Sequence, residues 1–331
     1  MQSICLIGGS GFIGTRLVRR LRHKSAVPVV IIDKSASQTF PELTQRTDIR
    51  SKSQLRESIP DNSIIIHLAA EHRDDVKPRS LYDDVNVDGT KNICNVAQEK
   101  NINTIVFTSS VAVYGFAPIG TDENGQINPF NDYGRTKYAA EQVLRDWQAK
   151  DPSKRRLIII RPTVVFGEQN RGNVYNLLRQ IAAGSFVMVG HGENRKSMAY
   201  VENLAEFIEY SLNFSAGVHL YNYIDKPDLT MNALVTSVNH ILAKPHKIRW
   251  RIPYSIGYAI ALCFDLLSWV TGSRYTISSI RVKKFCADTV FNTSVAETGF
   301  KPSVTLAQAI EKTVRYEFVE SHQPDVLYYT E

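Results

Sequence analysis

Short apolar runs punctuate the first half of the chain, and between them lie longer stretches in which apolar residues return every three or four positions. The runs read as strands at 2–7, 28–33, 63–68, 103–109 and 156–161, and the intervening pattern as helices at roughly 12–23, 80–100, 132–149 and 201–213. In the third helix the spacing turns Val143 and Leu144 inward and Glu141, Arg145 and Lys150 toward solvent. Apolar strands alternating with helices predict an α/β fold, a doubly wound parallel sheet covered on both faces. The alternation stops at Pro162 and the loop FGEQNRGN. Beyond it short strands mix with helices, which predicts a smaller mixed α/β domain toward the C-terminus.

With 331 residues at 43% hydrophobic, the chain can bury one large core or two moderate ones. Cys5, Cys94, Cys263 and Cys286 sit in mostly apolar surroundings without CxxC or metal-ligand spacing, which predicts buried thiols in a reducing compartment and no metal. The chain opens into an apolar strand without a charged-then-apolar leader, so export is not expected. The net charge of +6 is concentrated, because Lys244 to Lys284 carries eight Lys/Arg against the single acid Asp265 and the remainder is near neutral. Inside that basic segment lies YSIGYAIALCF, 254–264, continued past Asp265 by Leu266, Leu267, Ser268, Trp269 and Val270. A spanning helix needs about 20 apolar residues, so a buried or interfacial helix fits better. No nucleic-acid partner is expected.

Gly8-Gly9-Ser10-Gly11-Phe12-Ile13-Gly14 follows the first strand and opens the first helix. Glycines there let the backbone turn tightly and approach a pyrophosphate, whose charge then faces the free amides of the helix N-terminus. The second strand ends in Asp33, 19 residues after Gly14, where an acid can accept hydrogen bonds from an adenosine ribose. An acid there also repels a 2′-phosphate and favours NAD over NADP, with Lys34 beside it as the opposing charge. Tyr133 and Lys137 stand four apart in NDYGRTK and so share one helix face. A tyrosine with its ordinary pKa of about 10 needs a nearby cation to act as a base, and Lys137 supplies one. Ser109 and Ser110 end the fourth strand, at the sheet edge where ligands of such folds bind.

GGSGFIG, Asp33, Asp48-Ile49, HLAA at 67–70, NVDGT at 86–90, TSSVAVYG, YGRTK and IRPTVVFG occur in one order, and in that order the chain resembles the extended short-chain dehydrogenase/reductases, the NAD-dependent epimerase/dehydratase family. The resemblance implies a Rossmann sheet carrying NAD, with Gly8, Gly11, Phe12, Ile13, Gly14, Asp33 and Lys34 along the cofactor. It implies Asp48 at the adenine amino group and Ile49 against its ring. Leu68, Ala69, Ala70, His72 and Ser109 would line the cofactor, with Asn86 supporting the loop beside it. The competing readings are strand-end packing for 68–70 and a solvated loop for His72. Ser110 would orient the substrate, Tyr133 would be the base and Lys137 its activator, the last two also touching the cofactor.

The dehydratases of the family carry an Asp-Glu pair after the serine or threonine, and Val111-Ala112 stands there instead, so the resemblance implies a 4-epimerase. Asn173, Arg195, Lys196 and Arg281 would hold the diphosphate of the substrate, against the reading of the basic residues as solvated surface. LAAEHRDDV, RGNVYNLL, KSMAYV, YNYIDKPDL and VKKFCA resemble the bacterial branch acting on N-acetylglucosamine linked by diphosphate to undecaprenol, for surface polysaccharide such as O-antigen. That branch implies a cytoplasmic enzyme touching the inner membrane through 244–284, and the family implies a homodimer across the helices near 80–100 and 132–149. Bulky Phe285, in the position that limits room for an N-acetyl group, keeps a UDP-hexose substrate open. A net dehydrogenase or reductase, and a binding subunit without chemistry, are the further alternatives. The expected domains interleave: 1–165 with about 197–225 for NAD, and about 166–196 with 226–331 for substrate, the strand 218–224 returning to the first.

Overall fold

The computed structural model describes residues 2–24, 27–73, 76–245, 248, 250–271, 278–322 and 326–330. Its elements run β1 (Ser3–Ile7), α1 (Phe12–Lys24), β2 (Val29–Asp33), β3 (Thr44–Arg46), α2 (Lys52–Ser58), β4 (Ser63–His67), α3 (Gly89–Glu99), β5 (Thr104–Thr108), α4 (Asp132–Ala149), β6 (Arg156–Pro162) and β7 (Val164–Phe166). There follow α5 (Asn173–Ala182), β8 (Val187–Val189), β9 (Arg195–Tyr200), α6 (Val201–Ser211), β10 (Gly217–Tyr223), β11 (Asp225–Thr230), α7 (Met231–Ile241), β12 (Trp250–Ile252), α8 (Tyr254–Thr271), α9 (Ser279–Cys286) and α10 (Leu306–Phe318).

Seven parallel strands form the main sheet in the order β10-β6-β5-β4-β1-β2-β3. Alternate residues of a strand point to opposite faces, so Ile4 and Leu6 join Leu17, Leu204 and Phe207 on one side, while Cys5 and Ile7 join Ile93, Leu144 and Trp147 on the other. This two-period division of continuous apolar strands makes the sheet a doubly wound layer between α1 and α6 on one face and α3 and α4 on the other. The strand order reverses between β1 and β4, and the crevice opens at their carboxyl ends. β10 returns after α6 to pair with β6 at the sheet edge. A second core, around Phe166, Leu178, Met198, Leu234 and Ile310, holds α5, α7, α10 and the small sheet β11-β9-β7 together.

Three expectations change. The helix expected over 80–100 divides, with a wide π-type turn over Asp83–Asp88 preceding α3. That widening accompanies Asn86, a buried side chain bonded to the loop after β4 rather than to its own helix. Cys263 is exposed and Cys286 only half-buried, although Cys5 and Cys94 are buried as thiols. Glu141 is fully buried rather than solvated. Its carboxylate receives Arg161 Nε at 2.8 Å and a second guanidinium nitrogen, and Arg161 also donates to the Tyr114 hydroxyl at 2.7 Å. Tyr114 donates onward to Asn222 Oδ1 at 2.8 Å, and Glu123 accepts from the Asn222 and Ser294 amides.

Removing one member of a buried, hydrogen-bonded ion pair strands the other. Glu141→Ala should therefore lower stability by about 3–5 kcal/mol. Urea unfolding measures this directly, and a loss as small as that of an exposed Glu→Ala change would show that water reaches Arg161.

Candidate active site

The backbone after β1 is shaped by what cannot fit there. Gly8 has φ of +80° and donates its amide to Ile32 O at 2.8 Å, and a Cβ on it would lie 2.4 Å from Ala69 N. A Cβ on Gly14 would lie 2.5 Å from the Gly9 backbone, so α1 starts tight against the turn. As the first residues of α1, Phe12, Ile13 and Gly14 present amides that no earlier turn of helix accepts. The Phe12 side chain packs in the second core against Tyr328, at 5.8 Å between rings, so its backbone is what faces the crevice. At the end of β2, Asp33 accepts the Ser10 and Ser35 amides, each at 3.1 Å, and Lys34 pairs with Glu71 at 2.9 Å. An amide-lined turn, a helix N-terminus and an acid on the neighbouring strand end fit the pyrophosphate and ribose of a dinucleotide.

Other candidates on this side are more committed than expected. Arg50 grips the Asp48 carboxylate through Nε at 3.0 Å to both oxygens, which holds its pKa below the ordinary value. Ile49 is buried with Ile32 and Ile93. The Leu68 and Ala69 amides both bond Ile7 O, so this stretch follows the end of β1, with half-buried Ala70 next and His72 exposed beyond it. Asn86 accepts the Glu71 amide at 2.8 Å and donates to Glu71 O and to Thr136 Oγ1, each at 2.9 Å, which joins this loop to α4.

Ser110, Tyr133 and Lys137 come together at the end of β5. Asn131 caps α4 by accepting the Gly134 amide at 2.9 Å. A Cβ on Gly134 would meet Ala112 O at 2.4 Å, so the first turn of α4 lies directly on the short helical turn Val111–Tyr114. That contact sets Tyr133 opposite Ser110, whose hydroxyl accepts the Ala112 amide at 3.1 Å and is close enough to the phenol to lower its pKa. Burial raises the Tyr133 pKa and the Ser110 hydroxyl offsets part of that rise. Lys137 is 2% exposed, with its Nζ 4.3 Å from the centre of the Phe107 ring. Burial brings its pKa down to about 7, against the attraction of Glu141 one turn along. Tyr133 and Lys137 thus share a low-dielectric face on which burial favours the neutral form of each. A phenol, a hydroxyl and an amine so placed can move a proton to and from a substrate hydroxyl.

The hydroxyl of Ser109, expected along the cofactor, is instead donated to Glu141. Lys196, expected at a diphosphate, donates to Lys284 O at 2.9 Å and Ala287 O at 2.6 Å, binding the last carbonyls of α9. Its burial there lowers its pKa to about 8. Asn173 is exposed at the start of α5, Arg195 exposed on β9 and Arg281 exposed on α9. The Phe285 ring packs 6.2 Å from Phe186 in the second core, so its bulk is directed inward. Sequence reasoning missed Glu141 and Arg161. Both were signalled: Tyr133, Lys137 and Glu141 form a stripe at intervals of four, and Arg161 is the one charge in the buried run LIIIRP.

Residues 4–223 match the NAD dependent epimerase/dehydratase family, and the chain belongs to it. It is 50% identical, over 100% of its length and 99% of the relative's, to the N-acetyl-alpha-D-glucosaminyl-diphospho-ditrans,octacis-undecaprenol 4-epimerase of Escherichia coli O157:H7. It is 28% identical to the UDP-glucose 4-epimerase of Vibrio cholerae, over 95% of each chain. Among solved structures it resembles the UDP-N-acetylglucosamine 4-epimerase of Bacillus cereus, with a TM-score of 0.74 at 18% identity over 95% of this chain and 98% of that one.

Lys137→Met removes a buried ammonium and should raise the unfolding midpoint at neutral and lower pH. The gain should shrink as pH climbs from about 7 toward 10.5, because there the unfolded lysine holds a proton that the folded one has released. Urea midpoints of both proteins across that window test the sign, and a gain that is flat or grows with pH contradicts it.

Proposed function

We propose that this chain is an NAD-dependent 4-epimerase that interconverts N-acetylglucosamine and N-acetylgalactosamine linked by diphosphate to undecaprenol, for surface polysaccharide synthesis. The observation that carries the reading is the identity to the Escherichia coli relative across the whole chain, the C-terminal half included. The site supports the chemistry. Tyr133 takes the proton of the C4 hydroxyl while Ser110 holds that oxygen, and Lys137, on the same face, gains its charged form as negative charge develops on the phenol. NAD, when bound by the turn at Gly8 to Gly14 and by Asp33, supplies the reversible two-electron exchange at C4. The 4-keto sugar then turns while its diphosphate stays anchored, and Tyr133 returns the proton to the C4 oxygen on the opposite configuration. Val111 and Ala112 offer no acid or base to eliminate water, which favours epimerisation over dehydration.

In this reading residues 166–196 and 226–331 form the substrate half, and the rest holds NAD. A homodimer would form across the outer faces of α3 and α4. Among the described residues no helix is long and apolar enough to cross a membrane. α8 nonetheless exposes Ile256, Ile260, Leu262, Leu266, Leu267 and Trp269, the last at 82%. Asp265 is turned away from that face and receives the Ser279 amide at 3.1 Å, which fixes α9 on α8. Of the eight basic residues of the segment, Lys247, Arg249 and Arg274 lie outside the described residues. An exposed apolar helix flanked by cations suits peripheral contact with an anionic cytoplasmic leaflet.

Purified enzyme incubated separately with UDP-GlcNAc and with the undecaprenyl-linked sugar, followed by resolution of the product hexosamines, should give N-acetylgalactosamine from the lipid-linked substrate. Conversion of UDP-GlcNAc alone refutes the substrate, and steady NADH release refutes the epimerase. Tyr133→Phe should lower kcat by about a hundredfold or more while NAD is retained. Trp269→Ser should weaken cosedimentation with phosphatidylglycerol vesicles, and about 0.5 M salt should weaken it for both proteins. Equal binding to uncharged vesicles contradicts the electrostatic part.

A further inference from the structure

At the mouth of the site lies an arrangement that the chemistry above does not use. Phe116 follows the turn that begins at Ser110, and Phe130 precedes Tyr133 by three residues. Their rings lie 5.0 Å apart, 48% and 45% exposed. The two strands of chain are locked together beneath them, because the Asn128 amide bonds Val113 O at 3.0 Å and a Cβ on Gly115 would strike Asn128 O. α9 crosses above. Lys283 Nζ stands 5.3 Å from the Phe116 ring centre and Lys284 Nζ 4.5 Å from that of Phe130. Among the described residues neither ammonium has a carboxylate partner.

The placement of α9 is built. Lys196 binds its last carbonyls, Asn194 Nδ2 donates to Phe285 O at 2.8 Å, and Asp265 receives its first amide. After α9 the chain pairs with the loop beyond Phe116, Gly120 N to Val290 O at 2.8 Å and Asn292 N to Thr121 O at 2.9 Å. Two cations are thus held over two exposed aromatic rings a few residues from the catalytic pair. Ile280, 45% exposed on α9, leads from there to the exposed apolar face of α8.

We propose that Lys283 and Lys284 bind the diphosphate of the substrate and that Phe116 and Phe130 receive the first isoprenyl units, so that the lipid leaves the site toward α8. This rests on the lipid-linked reading above and deepens it. Two ammonium groups match the charge of a diphosphate diester, and a ring pair beside them supplies the apolar surface that a prenyl chain needs as soon as it leaves the second phosphate. A uridine, being polar and planar, has no use for an apolar path onward to α8. The lysines already hold the ring faces by cation–π attraction, so they stay over the mouth before substrate arrives.

The test uses full-length, NAD-loaded enzyme without membranes and two soluble substrates, GlcNAc diphosphate carrying a short prenyl tail or a methyl cap. Lys283→Ala with Lys284→Ala should raise KM about tenfold for both, with kcat within about twofold. Phe116→Ala with Phe130→Ala should raise KM for the tailed substrate and not for the capped one. Thermal midpoints and NAD content confirm that both variants fold. Unchanged KM in folded variants, or a lysine effect that appears only when anionic vesicles are added, overturns the proposal. If the wild type converts UDP-GlcNAc and neither soluble diphosphate, the lipid-linked reading fails and the proposal with it.

Discussion

The site depends on one buried charge pair. Glu141 and Arg161 are both almost without solvent, and their attraction operates where no water screens it. Because Glu141 lies on α4, Arg161 on β6 and Ser109 at the end of β5, the pair fixes a helix against two strands at the place where Ser110, Tyr133 and Lys137 meet. Tyr114, Asn222 and Glu123 extend the same network to β10 and to the segment near Ser294. A charge taken out of water must have its partners in nearly ideal geometry, so this network tolerates little displacement of α4. The spacing of the catalytic side chains follows from that intolerance.

The same low dielectric explains why the phenol and the amine favour neutral forms in the ligand-free site. Desolvation outweighs the Ser110 hydroxyl for Tyr133 and the Glu141 charge for Lys137. Separating charge between them becomes easier when a bound group brings charge of its own, which ties the chemistry to occupancy of the crevice. The outer part of the C-terminal half is organised oppositely. α8 leaves large apolar side chains in water, and α9 beside it holds cations over exposed rings. A surface so arranged matches a substrate that is charged near the reacting sugar and apolar further away.

Much of the sheet was legible because its strands are continuous runs of Ile, Val and Leu, and the helices between them keep a clear period. Gly8 and Gly14 were legible for a steric reason, since any side chain there would meet backbone. β3 and α2 were not, because three polar residues at a sheet edge and a helix burying only Leu55 leave almost no apolar signal. Glu141 was misplaced because periodicity assigns charged residues to solvent unless a partner is known, and its partner is 20 residues away in sequence. Lys196 was legible only as a basic residue at a family position; that its ammonium donates to Lys284 O and Ala287 O at the end of α9 could not be read from the chain, because those carbonyls lie about 90 residues away.

The sequence by itself determined the alternating layers, the nucleotide turn and the spacing of Tyr133 and Lys137, since each is written in residues close together along the chain. Only the tertiary structure decided that Glu141 is an interior residue, that Ser109 faces it, that Lys196 caps α9, and that Lys283 and Lys284 stand over Phe116 and Phe130. The reason is common to all four. Whether a charged or hydroxyl side chain meets solvent, ligand or protein is set by which distant segment closes over it, and local pattern carries no record of that segment.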